Sequence, residues 1–183
     1  MDHDAFKTFI RLLPPAARVL DAGCSGGGIY LQALQSLNFE PEGFALSETA
    51  AATARQISGG ARVWFADLRR LSLKKETYDA IWAHEALGSL PPPGVQRTMV
   101  TFFAALKRGG ILFVSLREAD KAAESPEPTA GSESALATTA PAAEGGYRYE
   151  DFASLLRQSG FKILSNGRSL DDSRRMGFLA QRI

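Results

Sequence analysis

The sequence contains one segment that combines a strand, a glycine-rich loop and a helix without interruption. It runs from Arg18 to Tyr30 and reads Arg-Val-Leu-Asp-Ala-Gly-Cys-Ser-Gly-Gly-Gly-Ile-Tyr. The apolar residues before the glycines predict a short strand over residues 18–21, and the apolar spacing from Tyr30 onward predicts a helix. Because a glycine loop lets the backbone approach a ligand closely, the segment predicts a ligand site at the end of the first strand.

The pattern of a strand followed by a helix repeats along most of the chain. Further strands are predicted over residues 43–46, 62–65, 78–83 and 111–115. Helices are predicted before Pro14, from the Ser47 N-cap to Ile57, and over residues 95–106. A last helix ends at Gly160, and strands 161–164 and 176–183 follow, which a short connection would pair antiparallel. We therefore predict an α/β fold: a doubly wound, Rossmann-like, mostly parallel sheet with an antiparallel C-terminal strand, in a three-layer sandwich.

We expect a single domain over residues 1–183, because 45% hydrophobic and 22% charged residues are typical of a globular chain of this length. Residues 119–146 differ from the rest, since they are rich in Ala, Ser, Thr, Glu and Pro. Such a composition buries too little apolar surface to form a core. We predict a flexible insertion here, with a lid that orders on substrate as the alternative.

The overall charge and the cysteine content narrow the classes of partner. Lys and Arg total 21 against 20 Asp and Glu, so no net charge attracts nucleic acid or an anionic membrane, and a small molecule is the expected partner. We expect a cytoplasmic protein with no membrane association, because the chain has neither a bilayer-length apolar run nor a secretory signal. The single Cys24 offers no disulfide or metal cluster, so no metal is expected. The sequence does not define an oligomeric state.

The residues around the glycine loop distinguish three kinds of ligand. A loop that binds a nucleoside triphosphate would need a lysine after Gly28, and none is present. Gly23, Ser25 and Gly28 imitate the spacing of a dinucleotide-binding loop, so that alternative stays open. Asp21 lies two residues before the first glycine, where a carboxylate repels pyrophosphate but favours the ammonium and sulfonium charges of S-adenosylmethionine. Asp21 could also cap N–H groups of the loop, and the two roles are compatible.

This segment resembles the first motif of the class I S-adenosylmethionine-dependent methyltransferases, a class that includes the methyltransferase type 11 domains. The motif, Val-Leu-Asp-x-Gly-x-Gly-x-Gly, is matched by Val19, Leu20, Asp21, Gly23 and Gly27, with Ser25 in place of the middle glycine. Later segments at residues 66–68, 78–82, 106–113 and 149–161 are similar to the family in the same order. The resemblance therefore covers most of the chain, and it implies methyl transfer from S-adenosylmethionine to a small-molecule acceptor.

The resemblance also implies which residues bind the cofactor. They lie in the first loop (Asp21, Gly23, Cys24, Ser25, Gly27), after the second strand (Ala45, Leu46, Glu48), after the third (Asp67, Leu68) and in the fourth (Ala83). Asp67 matches the family's contact to adenine, with an N-capping role as its alternative. Cys24 is also interpreted as a small packing residue.

The strand-two position is the main departure from the family pattern. The family usually carries Asp or Glu there to bind both ribose hydroxyls, and this chain has Ala45. Glu48 lies in the first turn of the next helix. It would either bind the ribose in place of that acid or only interact favourably with the helix dipole. The same missing acid weakens a dinucleotide site.

The acceptor side is expected after the fourth strand, where His84 lies. His84 is the candidate general base, needed only when the acceptor carries a proton, and the alternative is a histidine that packs on adenine or caps a turn. Methylation of nucleic acid bases is disfavoured, because neither an Asn/Asp-Pro-Pro-Tyr motif nor a cysteine follows this strand. An oxygen, nitrogen or carbon of a small molecule remains as the acceptor. Two other functions stay open: a catalytically silent S-adenosylmethionine-binding or interaction module, and an NAD-dependent oxidoreductase.

Overall fold

The computed structural model describes residues 3–119, 147–168 and 174–183, which form one seven-stranded sheet with helices on both sides. The strands are β1 Arg18–Gly23, β2 Glu40–Ala45, β3 Arg62–Phe65, β4 Tyr78–His84, β5 Leu106–Arg117, β6 Phe161–Arg168 and β7 Arg175–Arg182. The helices are α1 His3–Ile10, α2 Ile29–Ser36, α3 Glu48–Ile57, α4 Pro92–Ala105 and α5 Tyr149–Gln158, with a 3₁₀ turn at Leu68–Arg70. The longest of these helices has 14 residues, so none in the described ranges has the length or apolar content to cross a bilayer.

The sheet order is β3-β2-β1-β4-β5-β7-β6. Strands β1 to β5 pair in parallel, whereas β7 lies antiparallel between β5 and β6. The chain passes from β1 to β2 on one side, and β4 takes the other side of β1. The carboxyl end of β1 is therefore the topological switch point, where open α/β sheets bind ligands. The predicted doubly wound sheet with an antiparallel C-terminal strand is confirmed.

Two layers of helices cover the sheet. Helices α1, α2 and α3 pack on one face, with Phe9 and Tyr30 against Trp82 of β4. Helices α4 and α5 pack on the other face, where Phe102 and Phe152 join the larger apolar core. Alternating strand residues supply both faces, as expected for a sheet that is buried on both sides.

Several element boundaries differ from the sequence prediction. β5 is more than twice as long as the predicted 111–115, because it pairs with β4 from Leu106, across an irregularity in the register, and with β7 as far as Arg117. β6 extends to Arg168 although most of its residues after Phe161 are exposed, since it is an edge strand held by backbone hydrogen bonds. α4 begins earlier than predicted, at Pro92, because proline is tolerated in the first helical turn.

The predicted insertion lies almost wholly outside the described residues, which stop at Ala119 and resume at Tyr147. These two flanking residues meet, since the Ala119 N–H donates to the Tyr147 carbonyl over 3.0 Å. The Tyr147 ring packs against Phe152 on the α5 side of the sheet. Ala119 and Tyr147 are therefore adjacent in the fold although they are far apart in the sequence.

Candidate functional site

The loop between β1 and α2 has a backbone that few side chains allow. Gly28, the N-cap of α2, has a φ of +100°, and a Cβ there would lie 2.7 Å from the Ala54 carbonyl oxygen of α3. Gly23 has a φ of +89°, and its Cβ would lie 2.9 Å from the Ala86 Cβ after β4. These glycines bring α3 and the segment after β4 into contact with the loop. The loop is consequently narrow and fixed on both sides.

Asp21 is the most unusual group in this region. Its side chain is fully buried, and neither carboxyl oxygen has a hydrogen-bond partner among the described residues. Burial raises the pKa of Asp21 to about 8. The indole Nε1 of its cross-strand neighbour Trp82 is also buried and has no hydrogen-bond partner among the described residues. Because an unpartnered buried carboxyl group is costly, its presence points to a bound cationic group or hydrogen-bond donor.

Cys24 follows the first glycine and turns its side chain inward. Its thiol lies 3.7 Å from the Asp21 carbonyl oxygen, and a Cβ on Gly43 would come within 2.7 Å of its sulfur. Burial first, and then the charge of Asp21, raise the pKa of the Cys24 thiol far above its usual range. The thiol is therefore an unreactive packing group, and only the backbone of Cys24 faces the loop side of the site.

The loop also contacts the end of β4 through a pair of polar side chains. Ser25 Oγ and His84 Nδ1 are hydrogen-bonded at 3.1 Å. The His84 ring lies parallel to Trp82 and beside Tyr30, and the residue is 8% exposed. The hydroxyl that replaces the usual middle glycine thus holds the candidate base in one orientation. No local sequence pattern indicates this contact, because the two residues are 59 positions apart.

A cavity of about 210 Å³ lies beyond the ends of β2 and β3. Three predicted cofactor residues, Leu46, Asp67 and Leu68, line it together. Its other lining residues are Phe65, Ala66, Arg69, Ser89 and Leu90. Asp67 Oδ1 accepts from the Arg69 N–H over 2.9 Å, so its alternative role as an N-cap is also present. Ser89 and Leu90 lie in a loop whose sequence carries no motif, and they were not predicted.

The structure places the remaining predicted residues with less direct access to this region. Ala45 pairs in register with Gly23 but is fully buried in a cluster with Leu31 and Ala51. Glu48 is exposed in the first turn of α3. Ala83 packs in the core on the α4 side, so only its backbone can face a ligand on the His84 side. Gly27 stays in the loop, against α3.

These residues fit S-adenosylmethionine at two of three places. The Asp21 carboxylate suits the ammonium group, and the cavity beside Asp67 suits the adenine. At the ribose, Ala45 offers no carboxylate. The strand order, the glycine loop and Asp21 together define the architecture of a class I methyltransferase.

Comparison with known proteins agrees with that class. A model of the methyltransferase domain family matches residues 1–166, so the chain belongs to this family. The chain is also 32% identical over 133 residues to a trans-aconitate 2-methyltransferase of Variovorax paradoxus, which aligns 72% of the chain. The match covers 49% of that protein, so the chain spans about half the length of the curated relative it matches.

Solved structures share the fold. A S-adenosylmethionine-dependent methyltransferase from Mesorhizobium loti has a TM-score of 0.73 at 21% identity, covering 96% of both chains. A TehB-like S-adenosylmethionine-dependent methyltransferase from Corynebacterium glutamicum also has a TM-score of 0.73, at 18% identity, covering 97% of this chain and 86% of that one. The predicted family, fold and cofactor class are confirmed.

Proposed function

We propose that the protein transfers a methyl group from S-adenosylmethionine to a small-molecule acceptor. The observation that carries the proposal is the fully buried Asp21 carboxyl at the glycine loop, which has no hydrogen-bond partner in the described residues. An ammonium group placed there would supply the missing donor and favour the ionised carboxylate. A dinucleotide pyrophosphate carries no cationic group for that carboxyl and would be repelled by its ionised form.

The chain's own residues then divide the work of binding. Asp21 binds the amino group of the cofactor, and the glycine loop leaves room for its backbone contacts. Leu46 and Leu68 enclose the adenine, and the Asp67 oxygen accepts from its amino group. When bound, the cofactor supplies a methyl group on a positively charged sulfur. Most of the remaining catalytic effect comes from holding the acceptor in line with that group.

His84 is proposed as the general base for an acceptor that carries a proton. Ser25 Oγ lies 3.1 Å from His84 Nδ1, and in the tautomer whose Nδ1–H donates to this hydroxyl, Nε2 is the ring nitrogen able to take up a proton. The name of the curated relative gives trans-aconitate as the acceptor of that protein. That supports a small molecule as the class of acceptor here.

Calorimetry with S-adenosylhomocysteine, S-adenosylmethionine and NAD tests the donor assignment. We expect the wild-type protein to bind the first two and not NAD, and Asp21→Ala to weaken binding by about tenfold or more. Asp151→Asn, which removes an exposed carboxylate in α5, is the matched control and should bind normally. Equal affinity in Asp21→Ala and the wild type would show that the donor site lies elsewhere.

A catalytically silent cofactor-binding module is the second candidate, and Ala45 favours it. Without the strand-two acid, the ribose loses the charged acceptor that class I enzymes usually provide. This candidate predicts that the protein binds S-adenosylhomocysteine but does not form it from S-adenosylmethionine with any acceptor. A turnover assay on a panel of small acids, amines and phenols separates the two.

A further inference from the structure

A second cavity, of about 350 Å³, lies on the α1 side of the sheet next to the proposed site. It is lined by Asp4, Ala5 and Thr8 of α1, Phe113 and Ser115 of β5, Arg175, Gly177 and Leu179 of β7, and residues 165–168 of β6. Its volume is within the range of pockets that hold small molecules.

The register of the sheet connects this cavity to His84. Ser115, which lines the cavity, is the cross-strand partner of His84, and Phe113 is the partner of Trp82. Neighbouring strands lie about 5 Å apart, so the cavity begins one strand away from the candidate base. A molecule in the cavity would therefore lie beside the place where the methyl group is transferred.

The floor of the cavity is bare backbone. Gly167 and Gly177 are cross-strand partners in β6 and β7. A Cβ at Gly167 would meet no atom within 4 Å, and one at Gly177 would only touch the edge of the Phe113 ring at 3.5 Å. The space above this glycine pair is open, and the Phe113 and Leu179 side chains give it an apolar border.

Arg175 is the cation that the β5–β7 wall contributes to the cavity lining. Its cross-strand partner Arg117 lies outside the lining but shares the same face of the sheet. Like charges in such a pair repel unless an anion lies between them or beside them. Arg175 Nε already pairs with a carboxylate, Glu85 Oε1, at 2.7 Å.

The Glu85 ion pair is of the kind that a ligand can exchange. The Glu85 side chain is 45% exposed and that of Arg175 is 23% exposed, so water reaches the pair on its carboxylate side and weakens it there. Glu85 follows His84 directly and has a φ of +53°, with its N–H bonded to Ser115 Oγ at 3.1 Å. An incoming carboxylate could therefore replace Glu85 on Arg175 without disturbing the backbone.

We propose that this cavity binds the methyl acceptor, and that the acceptor is a small carboxylic acid with an apolar body. Arg175 and Arg117 hold its carboxylate, and Phe113 and Leu179 contact its body. Asp4, on the α1 wall, faces the opposite end of the acceptor, where a hydroxyl or amino group can donate to it. That the ligand is a methyl acceptor rests on the proposed function, whereas the carboxylate site can be tested separately.

The probe is 4-hydroxybenzoate, with its methyl ester as the uncharged counterpart, titrated into the full chain by calorimetry with and without S-adenosylhomocysteine. We expect the acid to bind saturably and the ester at least about tenfold more weakly, because charge-assisted hydrogen bonds are lost. Arg175→Gln and Arg117→Gln should each lower affinity for the acid by about tenfold. Glu85→Gln should raise it by roughly two- to fivefold, because the competing carboxylate is removed.

Arg97→Gln, an exposed charge removal on α4, is the matched control and should bind the acid as the wild type does. Equal binding of acid and ester, no saturable binding of the acid, or an Arg175→Gln variant with wild-type affinity would overturn the proposal. Tighter binding of inorganic phosphate than of the acid would overturn the assignment to a carboxylate. If the wild type did not bind S-adenosylhomocysteine, the proposed function would be refuted instead. Binding of the acid in the absence of S-adenosylhomocysteine would still test the carboxylate site.

Discussion

The Asp21 carboxyl makes the stability of the ligand-free protein depend on pH. Its pKa is about 8 in the fold against a reference value of 3.8. Between these values the native state holds a proton that the unfolded chain has lost, so the free energy of unfolding falls as pH rises through this window. Above about pH 8 both states are ionised, and the Asp21 contribution is constant.

We therefore predict that Asp21→Asn reduces the fall in stability across this window, because the amide does not ionise. Urea unfolding at about pH 5, 7 and 9 measures the effect. The free energy of unfolding of the variant, relative to that of the wild type, should increase from the lowest pH to the highest. Asp151→Asn should follow the wild-type curve, and an Asp21→Asn curve that did so as well would show that Asp21 is ionised in the fold.

Ala45 is the residue at which the sequence departs most from the family pattern, and Ala45→Asp tests its meaning. The residue is fully buried, so the carboxylate should lower the stability of the free protein by about 1 to 3 kcal/mol. With cofactor bound, the new oxygens can accept from the ribose hydroxyls, and affinity for S-adenosylhomocysteine should rise by about tenfold.

Thermal unfolding with and without S-adenosylhomocysteine, together with calorimetry, reports both effects of Ala45→Asp. Glu48→Gln is the companion variant, because an acid that has moved to Glu48 would make that variant lose affinity. A loss in Glu48→Gln and no gain in Ala45→Asp would place the ribose acid on α3.

Individual site residues were predictable only where a motif carries them. Asp21 and Asp67 follow from their place at strand ends, and the structure brings Asp67 beside Leu46 and Leu68. The contact between Ser25 and His84 and the pairing of Arg117 with Arg175 depend on the order and register of strands far apart in sequence. No local pattern encodes that register.

At the scale of secondary structure, the central strands and helices were predictable because their burial follows a regular period. Strands β1 and β4 are almost wholly buried and were recognised as apolar runs. β6 was predicted too short because its outer half is exposed, and so its sequence lacks the apolar alternation that marks a strand. The 3₁₀ turn after Asp67 was missed because three residues are too few to show periodicity.

The contact between α2 and α3 depends on Gly28, which gives an element-scale prediction. Gly28→Ala should destabilise the protein by about 3 kcal/mol or more, because it adds left-handed backbone strain to a clash with the Ala54 backbone. Gly59→Ala is the matched control: Gly59 also has a positive φ, +68°, but its Cβ would meet nothing within 4 Å.

Gly59→Ala should therefore cost only the backbone term, about 1 kcal/mol. Chemical unfolding of the two variants measures the difference. Equal losses in the two would mean that α3 moves away from α2 at little cost, and that the glycine loop is not fixed by this contact.

At the scale of the whole molecule, the sheet order sets the relation between the two cavities. β1 and β4 are adjacent at the centre, so the buried Asp21 lies between the cavity beyond β2 and β3 and the cavity over β5 and β7. The alternation of strands and helices predicted a parallel sheet, but not which strands are neighbours. That order comes from long-range packing of both faces and not from any one segment.

Cofactor binding should release a proton, because the proposed site places a cationic group beside a carboxyl whose pKa is about 8 in the free protein. At about pH 7 the free protein holds Asp21 mostly protonated, and the ammonium group favours the ionised form, so close to one proton should leave on binding. At about pH 9 the carboxyl is already ionised and Asp21 should release almost none. Calorimetric titration of S-adenosylhomocysteine in two buffers of different ionisation enthalpy measures the number of protons at each pH.

The same titration with Asp21→Asn serves as the control for proton release, because any release that remains comes from the ligand or from other groups. 5′-Methylthioadenosine, which lacks the amino acid part, should bind the wild type without the Asp21 release. If the wild type released as many protons as Asp21→Asn at about pH 7, then the cofactor's ammonium group would not lie beside Asp21. The buried carboxyl would then need another partner.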